Sequence, residues 1–394
     1  MTPLLDFPPE LEDLIVDHMR GQNDALATCG LVSRSWLRSS RLHLFGTVTL
    51  RDRTWEKFLQ LLDSPLSTVV QSVRTLAISR SEDDLDLGAF FEALIHQLPV
   101  FPSLTRLRIS HAYWAGVSMA TVDSLVQMFA NITALDLHLV TFDTPHELAA
   151  LISCFTRLRG MSLYTPFLDS GSSGRTTDLP LAPSTLELVR FRSGPSSGDP
   201  PGHFIAWLHA GDQPPAIRSL ELGILAATSL PSVGALLHAL GPELHDLDLA
   251  FMYHVSAVDI GSYIDLSQNT NLRGLTIHLS LRRFRSPTAV RLGSWALLAA
   301  VRSGLTTLTI VLSLDTIAVL DNLDSAHFIA TLEQPQFATL QRLHFIVHPF
   351  VAAAYTVDGE MEGAIRKRLT GDAARGIVDI DVVHTSRVFT QGVL

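Results

Sequence analysis

Cysteine is almost missing from this 394-residue chain, which has only Cys29 and Cys154. That excludes a disulfide framework and a thiolate-held metal centre, and it makes both residues apolar fillers suited to a reducing compartment. Long apolar runs are also missing. No stretch approaches the roughly 18 uncharged residues that a membrane-spanning helix needs. Met1 to Leu14 has neither the basic start nor the apolar core of a secretion signal, so cytoplasm or nucleus is the expected location. Charged residues make up 17% of the chain and their balance is acidic, −10 overall with a pI near 5.9. Nucleic-acid binding asks for a concentrated basic face, so neither nucleic acid nor membrane is an expected partner.

Several catalytic patterns are lacking as well. The chain has no HExxH, no phosphate-binding GxxxxGK[ST] and no GxGxxG, so no catalytic, cofactor or metal site is expected. Of its sixteen histidines, His203 and His209 are spaced off a shared helical face, while His344 and His348 share a strand face. Glu82, Asp83, Asp84 and Asp86 lack the spacing of a calcium loop and read as a solvated turn. Arg282, Arg283, Arg285 and Arg291 read as a solvated basic run.

What the chain has is apolar residues, 47% of the total, and a repeat. The order apolar, two variable, apolar, one variable, apolar returns eleven times. It begins at Val73-Leu76-Ile78 and Leu104-Leu107-Ile109 and ends at Leu340-Leu343-Phe345 and Ile377-Ile380-Val382. The central positions step by 26 to 37 residues, near the upper end of leucine-rich-repeat lengths. Within each unit the last two apolar positions alternate with a variable one, as in a strand with one buried face. Between units lie helical spacings such as Phe90-Phe91-Leu94-Ile95-Leu98 and Val122-Leu125-Val126-Phe129.

One strand-helix unit cannot bury its own apolar face, whereas stacked units share a core. The expected fold is therefore α/β, an irregular leucine-rich-repeat solenoid over residues 51–394, arc-shaped, with parallel strands on its concave face. The resemblance to leucine-rich-repeat proteins runs from about Val73 to Val383, without their regular asparagine after the strand. Asp169 to Asp178 and Ser193 to Gly202 interrupt the pattern and read as long loops. The variable residues beside the buried positions form the expected substrate face: Arg106, Arg108, Asp136, His138, Tyr164, Arg190, Arg192, Glu221, Asp248, His278 and His344.

The amino-terminal segment differs. Pro8 and Pro9 precede Leu11, Leu14, Ile15 and Met19, one apolar helical face expected to be buried, with Glu10, Glu12 and Asp13 in the first turn. Asp24 is a candidate cap for a second helix carrying Leu26, Cys29 and Leu31, and Ser33 or Ser35 for a third carrying Trp36. Three short helices make a marginal core, so a partner or the following repeats must add stability.

Phe7-Pro8-Pro9-Glu10-Leu11, Ile15, Leu26, Cys29, Leu31-Val32-Ser33-Arg34-Ser35-Trp36 and Leu44-Phe45 together resemble an F-box of the fungal type, over residues 4–50. The resemblance implies docking to a Skp-type adaptor, and through it to a cullin, through Pro8, Pro9, Leu11, Ile15, Leu26, Leu31, Val32 and Trp36. It further implies that the solenoid holds a protein substrate for ubiquitin transfer. The other reading of the segment is a helical cap on a repeat scaffold.

Overall fold

The computed structural model describes residues 8–51, 54–64, 67–79, 87–114, 117–164, 179–192, 200–211, 214–252, 255, 257–281, 295, 297–314, 316–349, 358–369 and 376–383. The chain forms two compact units, Met1–Asp143 with Cys154–Leu158, and Thr144–Ser153 with Arg159–Leu394.

The first unit opens with helices α1 (Pro9–His18), α2 (Asn23–Val32) and α3 (Arg34–Leu44). Ser33 caps α3, its hydroxyl accepting from the Trp36 amide at 3.2 Å. The expected cap Asp24 lies inside α2, which starts from Gln22 without a side-chain cap. Val16, Leu26 and Cys29 are the buried residues of α1 and α2, and the Cys29 thiol lies 3.3 Å from the Met19 sulfur. Ser39 to Asp13 and His43 to Asp17 tie α3 to α1.

Strand β1 (Thr47–Arg51) follows and crosses residue 50. After α4 (Trp55–Leu62) and α5 (Val69–Ser72) come β2 (Thr75–Ser79), α6 (Leu87–Gln97), β3 (Arg106–Tyr113), α7 (Met119–Met128) and β4 (Ala134–Thr141). These strands pair parallel in chain order. In the second unit α8 (Pro145–Ser153) precedes β5 (Gly160–Tyr164), β6 (Leu188–Arg192), α9 (Pro200–Leu208), β7 (Ser219–Leu225) and α10 (Leu230–Leu240). Then come β8 (Asp246–Phe251), α11 (Ala257–Tyr263), β9 (Gly274–Leu281), β10 (Thr307–Leu314), α12 (Ser325–Leu332), β11 (Arg342–Pro349), α13 (Asp358–Leu369) and β12 (Val378–Val382). They too pair parallel in chain order, β5 to β12.

The chain is thus an α/β, irregular leucine-rich-repeat-type solenoid. Every expected strand is present, its central apolar residue buried from Leu76 to Leu343 and half-buried at Ile380 of β12. β1 was not expected, although Phe45-Val48-Leu50 carries the repeat spacing. The Ser193 to Gly202 loop is shorter than expected, because Pro200, Pro201 and Gly202 open α9. The remainder of that loop, the Asp169 to Asp178 loop, the acidic run from Glu82 and the basic run from Arg282 lie outside the described residues.

Two backbone features recur from repeat to repeat. At the foot of successive strands one carbonyl accepts two consecutive amides of the next repeat. Arg74 O takes Thr105 and Arg106, and Arg218 O takes His245 and Asp246, at 2.8 to 3.0 Å. Near the end of the strand, His111, Leu139 and Ile224 adopt left-handed backbone, φ 55, 52 and 58. This turns buried Ala112, Val140 and Leu225 into the position that an asparagine would take. Left-handed backbone at branched Ile224 is strained and must be held by packing around Leu225.

Asn269 does locally what a ladder would do. Fully buried, it donates through Nδ2 to Leu237 O and Gly241 O, both at 2.9 Å, satisfying the end of α10. Asn269→Ala should cost about 1–3 kcal/mol by removing two buried hydrogen bonds, although Leu237 O keeps the Gly241 amide, and is read as a lower urea midpoint.

Candidate functional site

Two kinds of surface carry the residues that the sequence singles out. The first is on α1 and α2. Leu11, Leu14 and Ile15, expected to be buried, are exposed, Leu14 by 59%. The reason is that α1 packs through Val16, flanked by the Glu12, Asp13 and Asp17 side that faces α3, which leaves the larger apolar stripe outside. Leu11, Leu14, Ile15, His18, Met19 and Gln22 line an open apolar groove. At the end of α2, Leu31 is 89% and Val32 64% exposed.

Of the adaptor-binding set implied by the resemblance, Pro8, Pro9, Leu11, Ile15, Leu31 and Val32 are therefore on the surface. Trp36 is half-buried. Leu26 is fully buried and cannot touch a partner, because it fills the space between the helices. Leu14, absent from the set, is more open than Leu11. Its place on the stripe was readable in the sequence, but its openness was not.

The second surface is the solvent-facing side of the strands. All eleven residues of the expected substrate face are exposed or half-exposed. In the first unit Asp136 draws Arg106 Nη1 at 3.8 Å and Arg108 Nη2 at 3.4 Å, and His138 meets His111 edge-on at 5.7 Å between ring centres. In the second unit Glu221 is shared by Arg190, at 3.3 Å, and Arg192. His278 pairs with Asp248 and His344 with Asp381, both at 2.9 Å.

A recess of about 310 Å³ lies over these strands of the second unit, with Arg190, Glu221, Asp246, Asp248, Arg273 and Thr276 in its lining. Asp246, Arg342, Asp379 and Asp381 were not expected on this face. Asp246 and Arg342 hold the same place before a repeat apolar residue as Arg106, so the repeat alone would have found them, whereas β12 pairs two residues out of step, Asp379 level with His344 and Asp381 with Ile346. Tyr164 stands opposite Arg192 in register; burial raises its phenol pKa, which the arginine charge partly offsets.

Titration adds little except at His348, on the same strand as His344. Burial lowers its imidazole pKa, a hydrogen bond with the Val383 backbone opposes this, and the charge of His278 adds to the lowering. A folded value below the ordinary 6.5 means that the unfolded chain binds the extra proton. Stability from this group is therefore full above 6.5 and declines as pH falls through and below that value. Urea midpoints between about pH 7.5 and 5.5 should fall less for His348→Phe than for the natural chain.

Among the described residues no three His, Cys, Asp or Glu side chains gather as metal ligands, and no helix is long and apolar enough to cross a membrane. The run Gly194-Pro195-Ser196-Ser197-Gly198 spells the G-x-S-x-G spacing of a nucleophile elbow and lies outside the described residues.

No protein-family model and no curated protein sequence matches the chain. Among solved structures it is similar to the leucine-rich repeat-containing protein LegL7 of Legionella pneumophila, at 16% identity and TM-score 0.41, over 82% of this chain and 97% of that one. It is also similar to a Bacteroides fragilis protein, at 10% identity and TM-score 0.35, over 85% and 73%. A chain of the Rad7 and Elc1 complex of yeast is similar at 14% identity and TM-score 0.38, over 98% and 92%.

Proposed function

We propose that this chain is a non-catalytic substrate receptor of a Skp-cullin-F-box ubiquitin ligase. Helices α1 to α3 dock a Skp-type adaptor, and the strand faces hold a protein substrate. The observation that carries the reading is the apolar stripe of α1 together with Leu31 and Val32, left open to solvent in a segment whose sequence resembles an F-box. Apolar residues grouped in this way on small helices favour a protein partner.

A repeat scaffold with a helical cap, acting without degradation, is the second reading. A cap, however, would turn its apolar stripe toward the repeats, and α1 buries only Val16.

The test is co-purification of the full chain with a Skp-type adaptor and a cullin, against a truncation that begins after Leu44. Cutting at residue 50 would remove most of β1 and uncover β2, confusing lost docking with lost folding. Retention of adaptor and cullin by the full chain, lost in the folded truncation, supports the receptor. A folded full chain that captures neither leaves the scaffold.

A further inference from the structure

Lysine is the basic residue that this chain avoids. Only Lys57 on α4 and Lys367 on α13 are lysine, and the other 27 of its 29 basic residues are arginine. Lysine is among the commonest residues of globular domains, so the preference asks for a cause. Both lysines are exposed and both lie on helices, so no strand carries a primary amine on its solvent-facing side.

Contacts do not supply the cause. At the foot of four repeats Arg74, Arg159, Arg218 and Arg273 stand in the same place, and each takes two amides of the next repeat on its backbone carbonyl. Their side chains are exposed and, among the described residues, make no ion pair or hydrogen bond, so any solvated cation would serve. Arg342 donates one hydrogen bond to Asp379 and Arg368 one to Asp321, at 2.7 and 2.8 Å, and an ammonium could donate the same. Lys367 itself sits between Arg366 and Arg368 in the last turn of α13, where either cation suits the helix end. Arginine is thus used where neither packing nor pairing selects it.

What arginine lacks is a nucleophilic nitrogen. A lysine Nζ, once deprotonated, attacks the thioester carbon that joins the ubiquitin carboxyl terminus to the cysteine of its carrier enzyme. The C–S bond breaks, an isopeptide C–N bond forms, and the proton lost by the amine passes to the departing sulfur. A guanidinium stays protonated with its nitrogen lone pairs delocalised, and takes no part.

Resting on the receptor reading, we propose that the use of arginine for lysine keeps this chain from becoming an acceptor while it holds its partner for ubiquitin transfer. Its own modification is confined to Lys57 and Lys367. A lysine placed beside the strand faces would be modified in competition with the partner. A scaffold that works apart from ubiquitin transfer gains nothing from the exchange.

The test reconstitutes the full chain with a Skp-type adaptor, a cullin with its RING subunit and a ubiquitin-charged carrier enzyme, and maps conjugates on the chain by mass spectrometry. Discharge of the thioester onto free lysine, followed in the same mixtures, reads the activity of the assembled ligase. The natural chain should carry ubiquitin at Lys57 or Lys367 only, and Lys57→Arg with Lys367→Arg should remove it while adaptor and cullin stay bound. The triple variant Arg74→Lys, Arg159→Lys and Arg218→Lys should melt at the usual temperature, since these side chains have no partners to lose. It should gain ubiquitin at the new lysines and be modified severalfold more than the natural chain.

A folded chain that captures neither adaptor nor cullin removes the receptor reading and this proposal with it. Capture with active discharge onto free lysine, but with the introduced lysines left bare, overturns the proposal alone and leaves the receptor standing. A natural chain modified as heavily as the triple variant does the same.

Discussion

With Leu14 and Leu31 both replaced by glutamate, the full chain should lose Skp-type adaptor binding by about a hundredfold or more while melting at its usual temperature. Both side chains are more than half exposed, so neither supports the helices, and a carboxylate at either place remains solvated in the free protein. On docking the same carboxylates would have to be stripped of water against an apolar partner surface, which is costly for an unpaired charge. Calorimetric titration of the purified adaptor, beside a thermal melt, checks both halves. Val16→Glu is the contrasting variant: it should lose binding and folding together, because Val16 has no exposure. A double variant that binds as well as the natural chain would remove the apolar stripe from the interface, and the receptor reading with it.

The second large effect concerns stability and runs against local preference. Gly234 lies inside α10, where replacing glycine by alanine ordinarily stabilises a helix by about 1 kcal/mol. Here Gly234→Ala should destabilise by about 3 kcal/mol. The cause is that a Cβ would sit 2.0 Å from the carbonyl oxygen of Tyr263 at the end of α11. The obstacle is backbone, not the movable tip of a side chain, so α10 and α11 must separate. Denaturant unfolding checks this beside a contrasting variant, Gly363→Ala on α13, where nothing lies within 4 Å and the change should be neutral or stabilising. Equal midpoints for the two variants would show that the α10–α11 approach is looser than described.

Much of the fold could be read from the repeat. The apolar triplets from Val73 to Val382 each mark a strand, because burying one face of a parallel strand demands that spacing whatever the neighbouring repeat contains. The same spacing at Phe45-Val48-Leu50 is masked because Leu44-Phe45 also completes the F-box resemblance, and one stretch serves both patterns. Which residues lie on the solvent-facing side of the strands was legible for the same reason, since alternation fixes which side chains point away from the core. Their pairing was not legible. Arg190 meets Glu221 from about thirty residues away only because parallel register brings them level, and Arg192, level with Gly223, reaches it diagonally.

The sequence by itself determined the strand-helix alternation, the buried centre of each repeat and the solvent-facing positions, since these follow from local periodicity and the need to bury apolar area. Only the tertiary structure decided which face of α1 is covered, because Leu11, Leu14, Ile15 and Val16 are equally apolar and packing against α3 chose Val16. It also decided which backbone features tie and bend the repeats, carbonyls at the strand foot that each take two amides from the next repeat and left-handed residues near the strand end at His111, Leu139 and Ile224. The carbonyl bonds join residues about thirty apart, and no local pattern specifies them.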